Sequence, residues 1–378
     1  MSKHRILVLL GTRPEVIKLA PVIMALRERA DAVETIVCST GQHREMFAQA
    51  MEGFGLKADI DLGLMTPGQT LAGITSQAFA AVDRVIEQTQ PTMLIVQGDT
   101  TSAMVGAMCG FYRRIAVGHV EAGLRTGDTC SPFPEEVNRC IVGKVASLHF
   151  APTRRSAGNL LREGAPSASV HITGNTVVDA LGWMRARLPR DAPAELPRGV
   201  AEAIPGHRML LVTGHRRESF GEGIAGICKA LRQLADAFTD TYIVYPVHLN
   251  PNVQQPVRAI LSDHPRIALL PPVAYATLLW LMERATLILS DSGGIQEEAP
   301  SFGKPLLILR DTTERPEVVE AGCARLIGTT QDAIVEAAST LLTDATAYRE
   351  MTAKPNPFGD GQAAQRIADL IVGAMNRP

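Results

Sequence analysis

No stretch of the sequence is long and apolar enough to span a bilayer. The apolar run near the N-terminus ends at Gly11 and a charged loop, which excludes a membrane span there and makes a secretory signal peptide an unsuitable reading. A charge of one sign is lacking too: 37 Lys and Arg against 39 Asp and Glu leave a net charge of −2. That is too little for a general attraction to nucleic acid or an anionic membrane, so an anionic ligand has to be met by local cations. Cysteine is sparse, six in 378 residues, with no CxxC pair. A disulfide scaffold is excluded, and reduced thiols in a cytoplasmic protein are expected. Several catalytic signatures are also missing. No Ser stands in a GxSxG elbow, and no His sits in HExxH or Cys/His ligand spacing. The Gly-Lys pair at 303 and 304 lacks the leading glycine of a Walker A loop, because Glu298 occupies that position. The GxGxxG letters at 221–226 begin well past the strand expected to end at Thr213, and read as chance. Nothing calls for a metal, a nicotinamide or any other cofactor.

What is present is a globular composition, 46% hydrophobic and 20% charged, in a chain long enough for two domains. Short runs rich in Val, Ile and Leu recur at 5–10, 35–39, 93–97, 115–119, 209–213, 242–247, 287–289 and 306–309. Each is followed by a Gly or polar turn and a segment of helical period. Continuous rather than alternating hydrophobicity predicts strands buried on both faces, and the helical spacers predict parallel crossovers, so the fold class is doubly wound α/β. Thr12 and Glu15 form a capping-box pattern ahead of the first helix. Four prolines between Leu188 and Gly206 read as a surface connection, with the domain break in or shortly before it. The last helix, from about Gln362, could pack on either domain.

In open α/β sheets ligands bind beyond the carboxyl ends of the strands, and the residues there are unusually polar. The segment Ser290 to Glu298 runs from an apolar strand through Ser292, Gly293 and Gly294 into a helix. Such a turn lets a diphosphate approach backbone N–H groups, with Glu298 one turn on for a ribose diol. A tight turn with a capped helix is the alternative. Arg13, His215 and Arg216 follow other strands and could supply counter-charge. Asp99, Glu121, Glu135 and Glu136 lie at or beyond strand ends of the first half, where gathered acids acquire divergent acid and base roles. N-caps and surface pairs are the alternative, preferred for Glu136. The polar stretch Gly123 to Pro134 is a candidate lid.

Taken together, GTRPE at 11–15, GQHREM at 41–46, GDTTS at 98–102, GHVEAGLRTGD at 118–128, PFPEEVNR at 132–139, GHRRESFG at 214–221, YPVHLNPN at 245–252, SDSGGIQEEAP at 290–300 and RDTTERPE at 310–317 resemble the signatures of bacterial non-hydrolysing UDP-N-acetylglucosamine 2-epimerases. The resemblance runs from residue 11 to about 361. It implies the GT-B architecture: a Rossmann-like domain at 1–173, a Rossmann-like UDP-binding domain at 174–361, an interdomain active-site cleft, and a C-terminal helix at 362–378 that packs back on the first domain. It also implies reversible conversion of UDP-GlcNAc to UDP-ManNAc, by elimination of UDP to 2-acetamidoglucal and its re-addition after protonation of carbon 2 on the other face.

By resemblance, Asp99, Glu121 and Glu135 are the catalytic carboxylates and His215 stabilises the leaving diphosphate. Which carboxylate is base and which acid stays open. Arg13, Ser292, Gly293 and Gly294 are implied to hold the diphosphate and Glu298 the ribose. Lys18 and Arg139 match motif positions near the site, with a structural role on their helices as the alternative. Members also bind a second UDP-GlcNAc as activator, for which Gln42, Arg216 and His248 are the matching positions. Gln69 replaces an Arg of some members, which weakens the case for strong activation. The implied partners are UDP-GlcNAc, UDP-ManNAc and UDP, with a homodimer in the cytoplasm, no nucleic acid, no membrane and a product used for cell-surface polysaccharide. A hydrolysing epimerase, a GT-B glycosyltransferase and a nucleotide-sugar sensor are the rival readings. Three carboxylates have no evident use in the last two.

Overall fold

Strands that are apolar on both faces need helices on both sides of their sheet. The computed structural model, which describes residues 3–41, 44–65 and 68–375, meets that need twice. Gln42 lies outside the described residues. The chain divides into two compact units, Met1–Trp183 with Phe358–Pro378, and Met184–Pro357.

The first unit holds seven strands: β1 (His4–Leu10), β2 (Val33–Ser39), β3 (Ile60–Asp61), β4 (Met93–Gln97), β5 (Ala116–Val120), β6 (Leu148–Ala151) and β7 (Val170–Ile172). Their order in the sheet is β3-β2-β1-β4-β5-β6-β7, and every pairing is parallel. All of β4 is buried, and Leu94 and Val96 share a core with Leu7, Leu9, Val82 and Val85.

The second unit holds β8 (Arg208–Thr213), β9 (Thr241–Pro246), β10 (Ile267–Leu270), β11 (Ala285–Ser290), β12 (Leu306–Ile308) and β13 (Ala324–Leu326), in the order β10-β9-β8-β11-β12-β13 and again all parallel. Leu210, Val212, Ile243, Leu287 and Leu289 form its core with Ile227, Leu231 and Val257 from the covering helices. In both sheets the strand order reverses once, between β1 and β4 and between β8 and β11. Loops leaving those neighbours diverge, which opens a crevice at their carboxyl ends.

The units part at Trp183/Met184 rather than at the expected 173/174, and the chain rejoins the first at Phe358 rather than at 362. The reason is packing. The helix Thr176–Arg185 begins against the first unit, where the Trp183 ring lies 5.1 Å from that of Phe54. Helix Ala363–Met375 packs on helix Arg13–Arg27, with Arg29 reaching Gln365 and Asp369. The proline-rich stretch is not a bare connection: it carries the helix Arg198–Ala203, and Leu196, Val200 and Ile204 are buried. Among the described residues no helix is long and apolar enough to cross a membrane.

Candidate active site

In the first unit the reversal brings the turn after β1 beside the turn after β4. Glu15, buried in the first turn of helix Arg13–Arg27, accepts from the main-chain N–H groups of Gly11 (3.1 Å) and Thr12 (2.7 Å) and from the Thr100 hydroxyl (2.7 Å). Burial raises its pKa despite these donors. Thr100 in turn caps helix Thr101–Tyr112, accepting from Ala103 N. The two turns are thereby tied to each other. Arg13 is the first residue of its helix and is half-buried.

Glu121, just past β5, is only 8% exposed and sits at φ +63°. Its oxygens accept hydrogen bonds from Lys18, Gln97 and Asn175, so Lys18 of the first helix is an ion-pair partner of the carboxylate. Asp99, in the turn after β4, accepts from Arg139 at 2.9 and 2.7 Å, and its carbonyl accepts from the Asn138 amide at 2.9 Å. Arg139 also pairs with Glu136 at 2.9 Å. Glu135 opens helix Glu135–Val145, half-buried, with no hydrogen-bond or ion-pair partner among the described residues.

Its neighbour Glu136 does different work. It accepts from the N–H groups of Thr126 and Gly127, both at 3.0 Å, and so fastens the 123–134 segment to the helix. Burial opposes its ionisation, but these donors and Arg139 outweigh it and hold its pKa down. Beneath the Asp99 turn, buried His119 bonds the Gly98 carbonyl at 2.8 Å, and burial pushes its pKa down to about 3, so it is neutral and donates through Nε2.

In the second unit the reversal joins the turns after β8 and β11 through a 2.7 Å bond between the Thr213 and Ser290 hydroxyls. Asp291, fully buried, is the hub. It accepts from the N–H groups of His215 (2.7 Å) and Arg216 (2.8 Å), and its other oxygen lies 3.1 Å from Nδ1 of His215. The His215 ring stacks on that of His248, with centroids 5.7 Å apart. The largely exposed His248 accepts from Asn250 N through Nδ1, and partial desolvation of its ring, followed by the neighbouring His215, lowers its pKa. Arg216 is half-buried, with Nε unpaired among the described residues.

Ser292 precedes the short helix Gly293–Glu298 and makes no side-chain capping bond. The two glycines differ in what they permit. A Cβ on Gly293 would lie 2.7 Å from the Arg315 guanidinium, whereas one on Gly294 would find nothing nearer than the Ser292 hydroxyl at 3.9 Å. Gly293 therefore makes room for an arginine of this chain. Gly294 leaves open space, as a ligand approach requires. Arg315 is held by Glu297 (2.8 Å) and Glu314, and Glu314 also pairs with buried Arg310 (3.0 Å). Burial opposes the charge on Glu314, but Arg310 and Arg315 bring its pKa down to about 2. Glu298 is buried and accepts from the Tyr275 hydroxyl at 2.9 Å.

Within the first unit the structure thus brings Lys18 to Glu121 and Arg139 to Asp99, and within the second His215 to His248. Asp291, Gln97, Asn175 and Arg315 were not singled out from the sequence. The first two follow or end apolar strands at a reversal, and that position was a usable signal. Asn175 carries none, because its partner Glu121 lies far along the chain, and Arg315 stands within the 310–317 signature but its contact with Gly293 is not readable from it. Among the described residues no group of three His, Cys, Asp or Glu side chains is placed to hold a metal ion.

A family model described as UDP-N-acetylglucosamine 2-epimerase matches residues 24–372. The UDP-N-acetylglucosamine 2-epimerase of Yersinia pestis is 51% identical over 369 residues, covering 97% of this chain and 98% of its own length. That of Escherichia coli K12 is 48% identical, covering 97% and 98%. The crystal structure of the Neisseria meningitidis UDP-GlcNAc 2-epimerase bound to UDP-GlcNAc matches with a TM-score of 0.89 at 41% identity, over 98% of this chain and 100% of that one.

Proposed function

The chain belongs to the UDP-N-acetylglucosamine 2-epimerase family, and we propose that it interconverts UDP-GlcNAc and UDP-ManNAc by elimination and re-addition of UDP. The similarity that spans 97% of the chain at 51% identity carries this reading. Carbon 2 bears an acetamido group and is not next to a carbonyl, so simple deprotonation is unfavourable. Elimination avoids the carbanion: a base takes the carbon 2 proton as the bond from carbon 1 to the diphosphate oxygen breaks, and the electron pair leaves with UDP. Return of UDP to carbon 1 and of a proton to the opposite face of carbon 2 completes the inversion.

In this reading Asp99, Glu121 and Glu135 act on the sugar. Glu121, with donors from Lys18, Gln97 and Asn175, suits an anion of fixed position. Half-buried Glu135 is uncommitted among the described residues and suits proton transfer. His215, fixed by Asp291, donates to the departing diphosphate, while Arg13, Ser292, Gly293 and Gly294 hold it and Glu298 takes the ribose. Arg216 and His248 serve a second nucleotide sugar. A homodimer and a product destined for surface polysaccharide belong to the same reading and rest on family membership. Six free cysteines, four of them buried, suit a cytoplasmic protein.

Proton NMR of the purified protein with UDP-GlcNAc in deuterium oxide tests the proposal. UDP-ManNAc carrying deuterium at carbon 2 is the expected product. Free ManNAc with UDP would instead mean the hydrolysing reaction, and an unchanged spectrum from a sample that binds UDP would exclude both.

A further inference from the structure

A glutamate at φ +63° occupies a backbone region that residues with a side chain seldom adopt, so its surroundings must hold Glu121 in place. Lys18 and Gln97 come from the elements that flank the reversal of the first sheet. Asn175 does not. It lies in the turn that follows β7, the edge strand, and its place is set by the far end of the chain.

The main-chain N–H of Asn175 donates to the Phe358 carbonyl at 2.7 Å. The side-chain amide is committed at both ends: Oδ1 accepts from Val177 N at 3.1 Å, and Nδ2 donates to Oε1 of Glu121 at 3.2 Å. The bond from Val177 decides which end of the amide faces the carboxylate. The two backbones pass close to each other at a pair of glycines. A Cβ on Gly174 would lie 3.4 Å from the Phe358 carbonyl oxygen, and one on Gly359 would lie 3.3 Å from the Gly174 Cα. Both glycines have positive φ, +91° and +142°. The returning segment is fastened around this crossing. Asp179 accepts from the N–H groups of Ala363 and Ala364 at 3.2 and 2.8 Å, and Arg366 donates to the Thr173 carbonyl at 3.1 Å.

We propose that the returning segment Phe358–Gly361 positions the carboxylate of Glu121 through Asn175. Asn175 is only 2% exposed and its amide is already committed, so it acts on the orientation of Glu121 and not on a ligand. The inference rests on the reading of Glu121 as a catalytic carboxylate. It adds that the geometry of this group is set by a stretch more than half the chain away.

The test compares turnover of UDP-GlcNAc, KM, UDP affinity and thermal stability in Glu121→Gln, Asn175→Ala, Asn175→Asp and Gly359→Ala. Asn175→Ala is expected to lower kcat about tenfold, the loss of one hydrogen bond to a charged group, with KM and UDP affinity unchanged. Asn175→Asp keeps the acceptor for Val177 but turns a carboxylate on Glu121, so its kcat should fall below that of Asn175→Ala. A purely structural asparagine gives the opposite order, because the isosteric Asp preserves the turn better, and that order would overturn the proposal. Gly359→Ala should lower kcat in the wild-type background and add nothing in Asn175→Ala, because both act on one bond. Multiplying effects would overturn it. Should Gly359→Ala fail to fold, the order of the two Asn175 variants decides alone. If Glu121→Gln turns over normally, the catalytic reading itself falls. If Glu121→Gln is inactive while Asn175→Ala is normal, only the positioning role falls.

Discussion

The buried carboxylate of Asp291 accepts the main-chain N–H of His215 at 2.7 Å and stands 3.1 Å from Nδ1 of the same residue. One side chain therefore fixes the turn after β8 and faces the ring that the turn carries; in the proposed function Nε2 of that ring serves the departing diphosphate. Burial opposes ionisation of Asp291, yet the His215 side chain and the N–H groups of His215 and Arg216 hold its pKa below the usual carboxylate range. Asp291→Ala strips the acceptor from two N–H groups and should cost about 2 kcal/mol or more of stability, read by chemical denaturation. Asp291→Asn keeps the volume and should cost less stability while still lowering turnover by about tenfold, since the ring loses its anion. Equal turnover in wild type and Asp291→Asn would separate His215 from the chemistry.

Adjacent glutamates at the start of one helix should give different phenotypes. Glu135→Gln is expected to lower turnover by about a hundredfold or more, the scale of a lost acid or base, with stability and UDP binding retained. Asp99→Asn should do the same. Glu136→Gln instead weakens the bonds to Thr126, Gly127 and Arg139, so its signature is a lower melting temperature and a loosened 123–134 segment. Normal turnover in Glu135→Gln would remove that residue from the mechanism.

The two glycines of the second-unit turn offer a paired test. Gly293→Ala pushes on the Arg315 guanidinium and should destabilise the protein whether or not UDP is present. Gly294→Ala meets open space, so it should leave the unliganded protein as stable as wild type and weaken UDP binding by calorimetry. Unchanged UDP affinity in Gly294→Ala would make this turn merely structural.

Asp179 gives a pH dependence of definite sign. Burial raises its pKa to about 6 despite the N–H groups of Ala363 and Ala364. In the unfolded chain the group titrates at the ordinary Asp value of about 4, so the folded state binds the proton more tightly. Its contribution is therefore complete below about pH 4 and is lost as pH rises through about 6, for a total on the order of 3 kcal/mol. The stability difference between wild type and Asp179→Asn should move against wild type by that amount between pH 4 and 7, as measured by denaturant titration. A constant difference would mean that Asp179 stays ionised throughout.

The continuous apolar runs determined by themselves that this chain builds parallel sheets covered on both faces, since such strands cannot expose either face to water. They also marked where ligand groups belong, because residues after buried strands have no core to join. Glu15 against Thr12 was legible because the partners lie within one helical turn. The tertiary structure alone decided what each group is paired with. That Glu136 binds a loop while Glu135 does not, that Gly293 admits an arginine, and that Asn175 ties Phe358 to Glu121 all depend on backbones brought together from distant parts of the chain. The break implied by resemblance at 173/174 falls on the very turn that carries Asn175, whereas the proline-rich stretch that reads as a connection lies just past the observed break. The returning segment packed against it, the bond from Asn175 to Glu121 and the Trp183–Phe54 contact make that turn part of the first unit.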